Sequence, residues 1–251
     1  DEHKKRRKLE NKIFTRDVFQ KYENIIFPKT INETLEPYNE SGKMDLVDFG
    51  FRVLLNLTAD FSGIDRPNKS KNETETLLRL LKIFASGATL HHSTRDHEEV
   101  KGEVRDALKE FDKNFLTPSI ERRKAIIKQG SGEDLPNDIL TVLLVNDDQL
   151  NMPYDVLQRE IAFYLLAGAQ TSIHSLVHVF HEIHSWLKEN PEREDDIKND
   201  PIFVQKCFLE STRLHPSSPV ALRKPVCPVQ LPGNKNANED DSVVIDLYNS
   251  K

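Results

Sequence analysis

Cysteine is nearly absent from this chain. Its two cysteines in 251 residues, Cys207 and Cys227, make no disulfide framework and no CxxC zinc pattern. No apolar run reaches membrane-spanning length and no signal peptide opens the chain, so the expectation is a cytoplasmic protein with no membrane segment in this stretch. Positive charge is not in excess: 35 Lys and Arg stand against 41 Asp and Glu, a formal net charge of −6, which argues against a general nucleic-acid binder. The Asn-x-Ser/Thr patterns at Asn32, Asn56, Asn68 and Asn72 carry little weight without a secretory signal. There is no internal repeat.

What is present is a soluble, helix-forming composition, 37% hydrophobic and 30% charged, with ample material for a core. Residues 1–23 read as a basic helix followed by a second short one. Residues 43–63 have a helical apolar face and a Gly stop, Leu77–Ala88 is a further helical pattern, and Glu98–Gln129 is a long, charge-rich amphipathic one. "GSGEDLPND" (130–138) reads as a surface loop and "DILTVLLVNDD" as a short helix after it. From Tyr154 to about Leu187 apolar residues recur at three- and four-residue steps, between Pro153 and Asn190-Pro191, which predicts a long, central, buried helix. "IFVQKCFLESTRLHP" is a further apolar-faced helix stopped by Pro216. Extended chain follows, with a hairpin around Pro232-Gly233 and strands only after about residue 219. The class is mainly α. Residue 1 is not Met, and "SVVIDLYNSK" is a strand pattern with no partner strand after it. Both ends look cut, and the expectation is a piece of a longer protein.

The centre of the long helix carries Gly168, Gln170, Thr171 and Ser172, residues that weaken helix propensity. Two readings stand there: close packing of Gly168 against a neighbour, or a turn where the helix opens and offers polar groups to a bound molecule. His174, His178, His181 and His184 share a face further along. Only Glu182 beside them is a carboxylate, so they read as a polar packing or surface face rather than a metal site. Glu210 and Arg213 lie three apart on a helix whose apolar content predicts burial, so the pair is expected to be structural and turned inward.

Taken in order, three segments resemble the cytochrome P450 family of haem-thiolate monooxygenases. Glu210, Arg213, Leu214, His215 and Pro216 match the Glu-x-x-Arg and Leu-His-Pro of the family's K helix. Ala167, Gly168, Ala169, Thr171 and Ser172 match its I-helix motif. His3 and Arg7 in "DEHKKRRK" match its C helix, and Arg223 in "VALRKP" matches the Arg that meets a haem propionate. The resemblance implies a single partial domain over residues 1–251, a P450-like helical core with a short β tail. It would run from the C helix to just past the K helix, without the N-terminal β region or the C-terminal haem-Cys region.

By that resemblance the parent protein binds haem b and activates dioxygen to oxidise a small organic substrate, fed by a ferredoxin or a flavoprotein reductase. Ala167, Gly168, Gln170, Thr171 and Ser172 would form the distal oxygen groove, and His3, Arg7 and Arg223 would meet the haem propionates. Two departures matter. Gln170 replaces the family's acid, and an amide cannot release a proton at neutral pH. No Phe-x-x-Gly-x-x-x-Cys loop is present, so the axial Cys is not in this chain and these residues alone are not expected to bind haem. The alternatives are a truncated, non-catalytic helical binding protein and a peroxide-using or isomerising relative.

Overall fold

The structure, a computed structural model, describes residues 2–130 and 135–249. Residues 131–134, inside the expected 130–138 loop, and the last two residues of the tail lie outside the described residues. Helix follows helix along the chain: α1 (Glu2–Glu10), α2 (Arg16–Lys21), α3 (Phe27–Ser41), α4 (Leu46–Ser62), α5 (Lys71–Ala88), α6 (His97–Phe111), α7 (Thr117–Lys128), α8 (Ile139–Val145), α9 (Asp147–Leu150), α10 (Tyr154–Glu189), α11 (Glu194–Asn199) and α12 (Pro201–Leu214). No helix among the described residues is long and apolar enough to cross a membrane.

Local chemistry explains the boundaries. The Asp45 side chain accepts from the backbone N–H groups of Val47 and Asp48 to start α4, and Gly63 at φ +89 ends it in the left-handed region. Ser70 and Glu73 form a reciprocal capping box, which starts α5 six residues before the Leu77 expected from apolar spacing. The expected Glu98–Gln129 helix is interrupted by a π turn at Asp112–Leu116, and a second π turn at Tyr22–Ile26 leads into α3. Each π turn ends two residues before a proline, Pro118 and Pro28, that occupies the first turn of the next helix. Proline lacks an N–H and its ring crowds the carbonyl four residues back, and the wider turn accommodates both. Helix α3 was not visible in the apolar pattern. It carries Pro37 in its interior, a residue that ordinarily breaks helices.

The chain divides into two compact units, Asp1–Gln170 and Thr171–Lys251, with the boundary inside α10. The first unit has a helical core in which Ile13, Leu55, Ala59, Leu77, Phe111, Leu116, Ile139, Leu140, Ile161 and Leu165 are wholly buried. Inside that core lies Arg123, 2% exposed. It donates to Asp138 (2.6 Å), Asp65 (3.1 Å), Thr141 (3.0 Å) and the Ser119 carbonyl (3.0 Å). Gly63 is obligatory beside this network, because a Cβ there would lie 2.5 Å from Asp138 Oδ1.

In the second unit Trp186 meets Phe203 at 5.6 Å, and the Arg193 guanidinium lies over both rings. Strands β1 (Val220–Arg223) and β4 (Val243–Asp246) pair antiparallel, as do β2 (Val229–Leu231) and β3 (Lys235–Ala237). The β2–β3 hairpin turns at Gly233 (φ +77) and Asn234 (φ +58), where it was expected. The partner of the terminal strand pattern precedes it: β4 pairs back onto β1.

Candidate functional site on the long helix

Helix α10 is 36 residues long and α-helical throughout, so the expected opening at 167–172 is not there. Gly168 is explained by packing instead. A Cβ on it would meet Thr58 Cγ2 of α4 at 2.7 Å, too close for any side chain to stand without displacing Thr58. Ala169 is fully buried, whereas Thr171 is exposed and its carbonyl accepts a hydrogen bond from Ser175 Oγ at 3.2 Å. Gln170, Ala167 and Ser172 are half-buried. Phe163, 47% exposed, precedes them on the outer side of α10.

Helix α1 meets the first half of α10 through charge. Arg7 Nη1 donates to Tyr164 Oη at 2.6 Å and to Glu10 Oε2 at 3.2 Å, and Tyr164 Oη donates to the same Glu10 oxygen at 2.8 Å. The Arg7 guanidinium also lies 5.7 Å from the centre of the Tyr164 ring. Arg6 reaches Glu160 at 3.3 Å and is half-buried, unlike the exposed Lys4, Lys5 and Lys8 around it. Burial, then the hydrogen bond to Glu10, pushes the Tyr164 phenol up. Glu160 is pushed up by burial and then by the charge of Glu10. His3, Lys4, Lys5 and Lys8 form the exposed side of α1.

Between α5, α6 and α10 lies a cavity of about 430 Å³, walled by Phe84, Val104, Leu108, Ala162, Phe163 and Leu166. Sequence reasoning did not single out these residues. Their only signal was ordinary apolar periodicity, which cannot distinguish a core face from a pocket wall.

The second unit holds the remaining expected residues. Glu210 and Arg213 form a bidentate pair at 2.7 and 2.8 Å, but their side chains are 58% and 53% exposed, so the pair is not turned inward. Apolar content misled here. Ile202, Phe208 and Leu209 of α12 are themselves exposed, and Ser211 is the one buried residue of that helix. Arg223 is exposed on β1. The His178 ring stacks on His215 at 4.4 Å, and His215 Nε2 lies 2.7 Å from Glu182 Oε1. Burial, then the charges of His215 and His174, lower the His178 pKa. Among the described residues no cluster of three His, Cys, Asp or Glu side chains could hold a metal ion.

A haem is the cofactor that the motif set implies, and the residues present fit it on one side only. The exposed Thr171 and the small Ala167 suit a distal wall. A thiolate ligand is not provided: Cys207 is half-buried in α12 with its thiol pushed up by burial, and Cys227 is an exposed residue between strands.

No protein-family profile and no curated protein matches the chain. Solved structures do. P450 260B1 from Sorangium cellulosum So Ce56 is 14% identical and superposes with a TM-score of 0.73 over 97% of this chain and 56% of its own. CalO2 is 19% identical, with a TM-score of 0.71 over 96% of this chain and 55% of its own. CYP109E1 from Bacillus megaterium, solved in complex with testosterone, is 18% identical, with a TM-score of 0.67 over 96% and 59%. The chain therefore spans between 55% and 59% of the length of these proteins. Over the stretch it spans, the chain has the cytochrome P450 fold.

Proposed function

We propose that these 251 residues are one partial domain of a haem-thiolate monooxygenase, supplying its distal wall and part of its substrate pocket. The observation that carries the reading is the superposition of 97% of the chain on a cytochrome P450 at a TM-score of 0.73, with the I- and K-helix motifs on α10 and α12. The axial Cys is supplied by residues outside these 251. Bound in the complete protein, a haem thiolate would supply dioxygen activation.

The chain's own residues have separate tasks. The apolar cavity between α5, α6 and α10 takes a small hydrophobic organic substrate. Thr171, exposed on α10, holds a water or passes a proton through its hydroxyl; Gln170 can hold a water but cannot serve as the acid. His3, Arg7 and Arg223 are donors for the haem propionates. The exposed Lys4, Lys5 and Lys8 form a basic row for an acidic electron donor, a ferredoxin or a flavoprotein reductase.

A second reading, a non-catalytic binding protein, draws on the same cavity, which needs no haem to accept an apolar ligand. The test is made on the complete protein that carries this chain. Stoichiometric haem with a thiolate signature in its reduced, CO-bound spectrum is expected. Thr171→Ala is then expected to lower product formed per reduced nicotinamide consumed, by a large part of the roughly 10²–10⁴-fold that a general acid–base step supplies. A protein without haem that still binds an apolar probe in the cavity sinks the enzyme reading and leaves the binding one.

A further inference from the structure

Glu10 is wholly buried, and only one of its two oxygens is accounted for. Oε2 accepts from Arg7 and Tyr164. Among the described residues Oε1 has no hydrogen-bond donor, and Arg6 Nε, 3.7 Å away, is itself buried without a hydrogen-bond partner. A buried carboxylate oxygen left without a donor is costly. The neighbouring carboxyl is Glu160, one turn before Tyr164 on α10, with a side chain 12% exposed and Arg6 Nη2 at 3.3 Å. One added proton resolves the arrangement: a Glu160 O–H donating to Glu10 Oε1 satisfies the orphaned acceptor.

We propose that Glu10 and Glu160 share a proton held on Glu160, and that this pair is the acid store which the 167–172 turn of α10 lacks at Gln170. Discharge is balanced by residues already in place. The proton passes from Glu160 to a water at its exposed edge, and the carboxylate left behind pairs with Arg6. Tyr164 and Arg7 act as positioning residues that fix Glu10. Ala167 lies seven residues beyond Glu160, about 10 Å along the helix axis and on the same stripe, a span that waters can bridge. The upward shift of Glu160 by burial and by Glu10 supports the assignment. The groups facing the pair are Arg6 and Arg7 from α1 and Tyr164 from α10. Helices α8 and α9 also pack on α1, but α8 carries no titratable side chain and Asp147 and Asp148 of α9 are exposed. Arg159 of α10 is turned to Asp155 at the surface.

The role in acid supply rests on the monooxygenase reading; the shared proton does not, and the experiment separates them. In the chain itself, infrared spectroscopy at neutral pH is expected to show a protonated-carboxyl C=O band that shifts in D₂O and vanishes in Glu160→Gln. Because a raised folded-state pKa means that the native chain holds more protons than the unfolded one, stability falls as pH rises between the two pKa values. Glu160→Gln, which keeps the hydrogen bond and cannot ionise, is therefore expected to match the parent at mildly acid pH and to gain Tm over it as pH rises. Absence of the band, or a Tm difference that does not change with pH, overturns the shared proton. In the complete haem protein Glu160→Gln is expected to lower product per reduced nicotinamide at least twofold, with haem content unchanged. Unchanged coupling overturns the acid-supply role, and a complete protein without haem overturns that role and the monooxygenase reading together while the band still stands.

Discussion

Two arginine–carboxylate pairs divide this molecule. In the first unit Arg123 bonds to Asp138 with both side chains 2% exposed; in the second, Arg213 bonds to Glu210 with side chains 53% and 58% exposed. Their distances are alike, 2.6 and 2.7 Å, and their settings are opposite. The exposed pair is three residues apart on one helix and is visible in the sequence; the buried pair is fifteen apart and is not. Helical spacing brings two charges together, but what surrounds them decides their energetic weight.

The sharpest way to break the comparison is to remove Arg123. Arg123→Met leaves Asp138 and Asp65 facing an apolar side chain and leaves the Ser119 carbonyl without that donor. Breaking a buried pair costs about 3–5 kcal/mol, and in a unit of this size each kcal/mol moves Tm by about 2–4 °C. The expected result is a fall of roughly 10 °C or loss of cooperative unfolding, read by calorimetry. A fall within a degree or two would show that water reaches the network and that the two pairs differ less than their exposure implies.

A second comparison sharpens the first, since it sets packing against function at one glycine. Gly168→Ala should raise helix propensity by about 1 kcal/mol, yet its Cβ would lie 2.7 Å from Thr58 Cγ2. Overpacking of this kind costs about 1–3 kcal/mol, so the single variant is expected to melt below the parent. Thr58→Ser removes the obstructing methyl and should restore the loss in the double variant. Failure of that rescue would return Gly168 to the reading of a functional opening.

The elements that were legible in the sequence are those whose determinants are local. The apolar period of α10, the Gly63 stop, the proline-stopped α12 and the Gly233 hairpin all follow from near neighbours. Helix α3 was hidden because Pro37 is a local veto that tertiary packing overrides. The π turns were hidden because apolar spacing passes over a single wider turn. In the candidate site the family motifs marked Thr171, Gly168 and Arg7 but were silent on Glu10, Glu160 and Tyr164. Glu10 meets Glu160 and Tyr164 from 150 and 154 residues away in sequence, and nothing in either segment announces the other. The cavity walls were invisible for a related reason: Phe84, Leu108 and Phe163 satisfy the helical period whether their neighbours are side chains or empty space.

The smallest expected effect closes the comparison. With Glu210 and Arg213 both open to solvent, Glu210→Ala removes a screened surface pair and strands no buried charge. In this chain the variant is expected to melt with the parent. The Arg213 hydrogen bond lowers the Glu210 pKa, but at an exposed site that shift carries little stability. The informative measurement is the same substitution in the complete protein. If its melting point falls by many degrees there, another part of that protein lies over the pair and converts it into a buried one, so that Glu210–Arg213 and Arg123–Asp138 become the same kind of interaction. If the two melts coincide in both settings, the pair stays a surface feature, and the inward-facing role expected from the apolar content of its helix is lost.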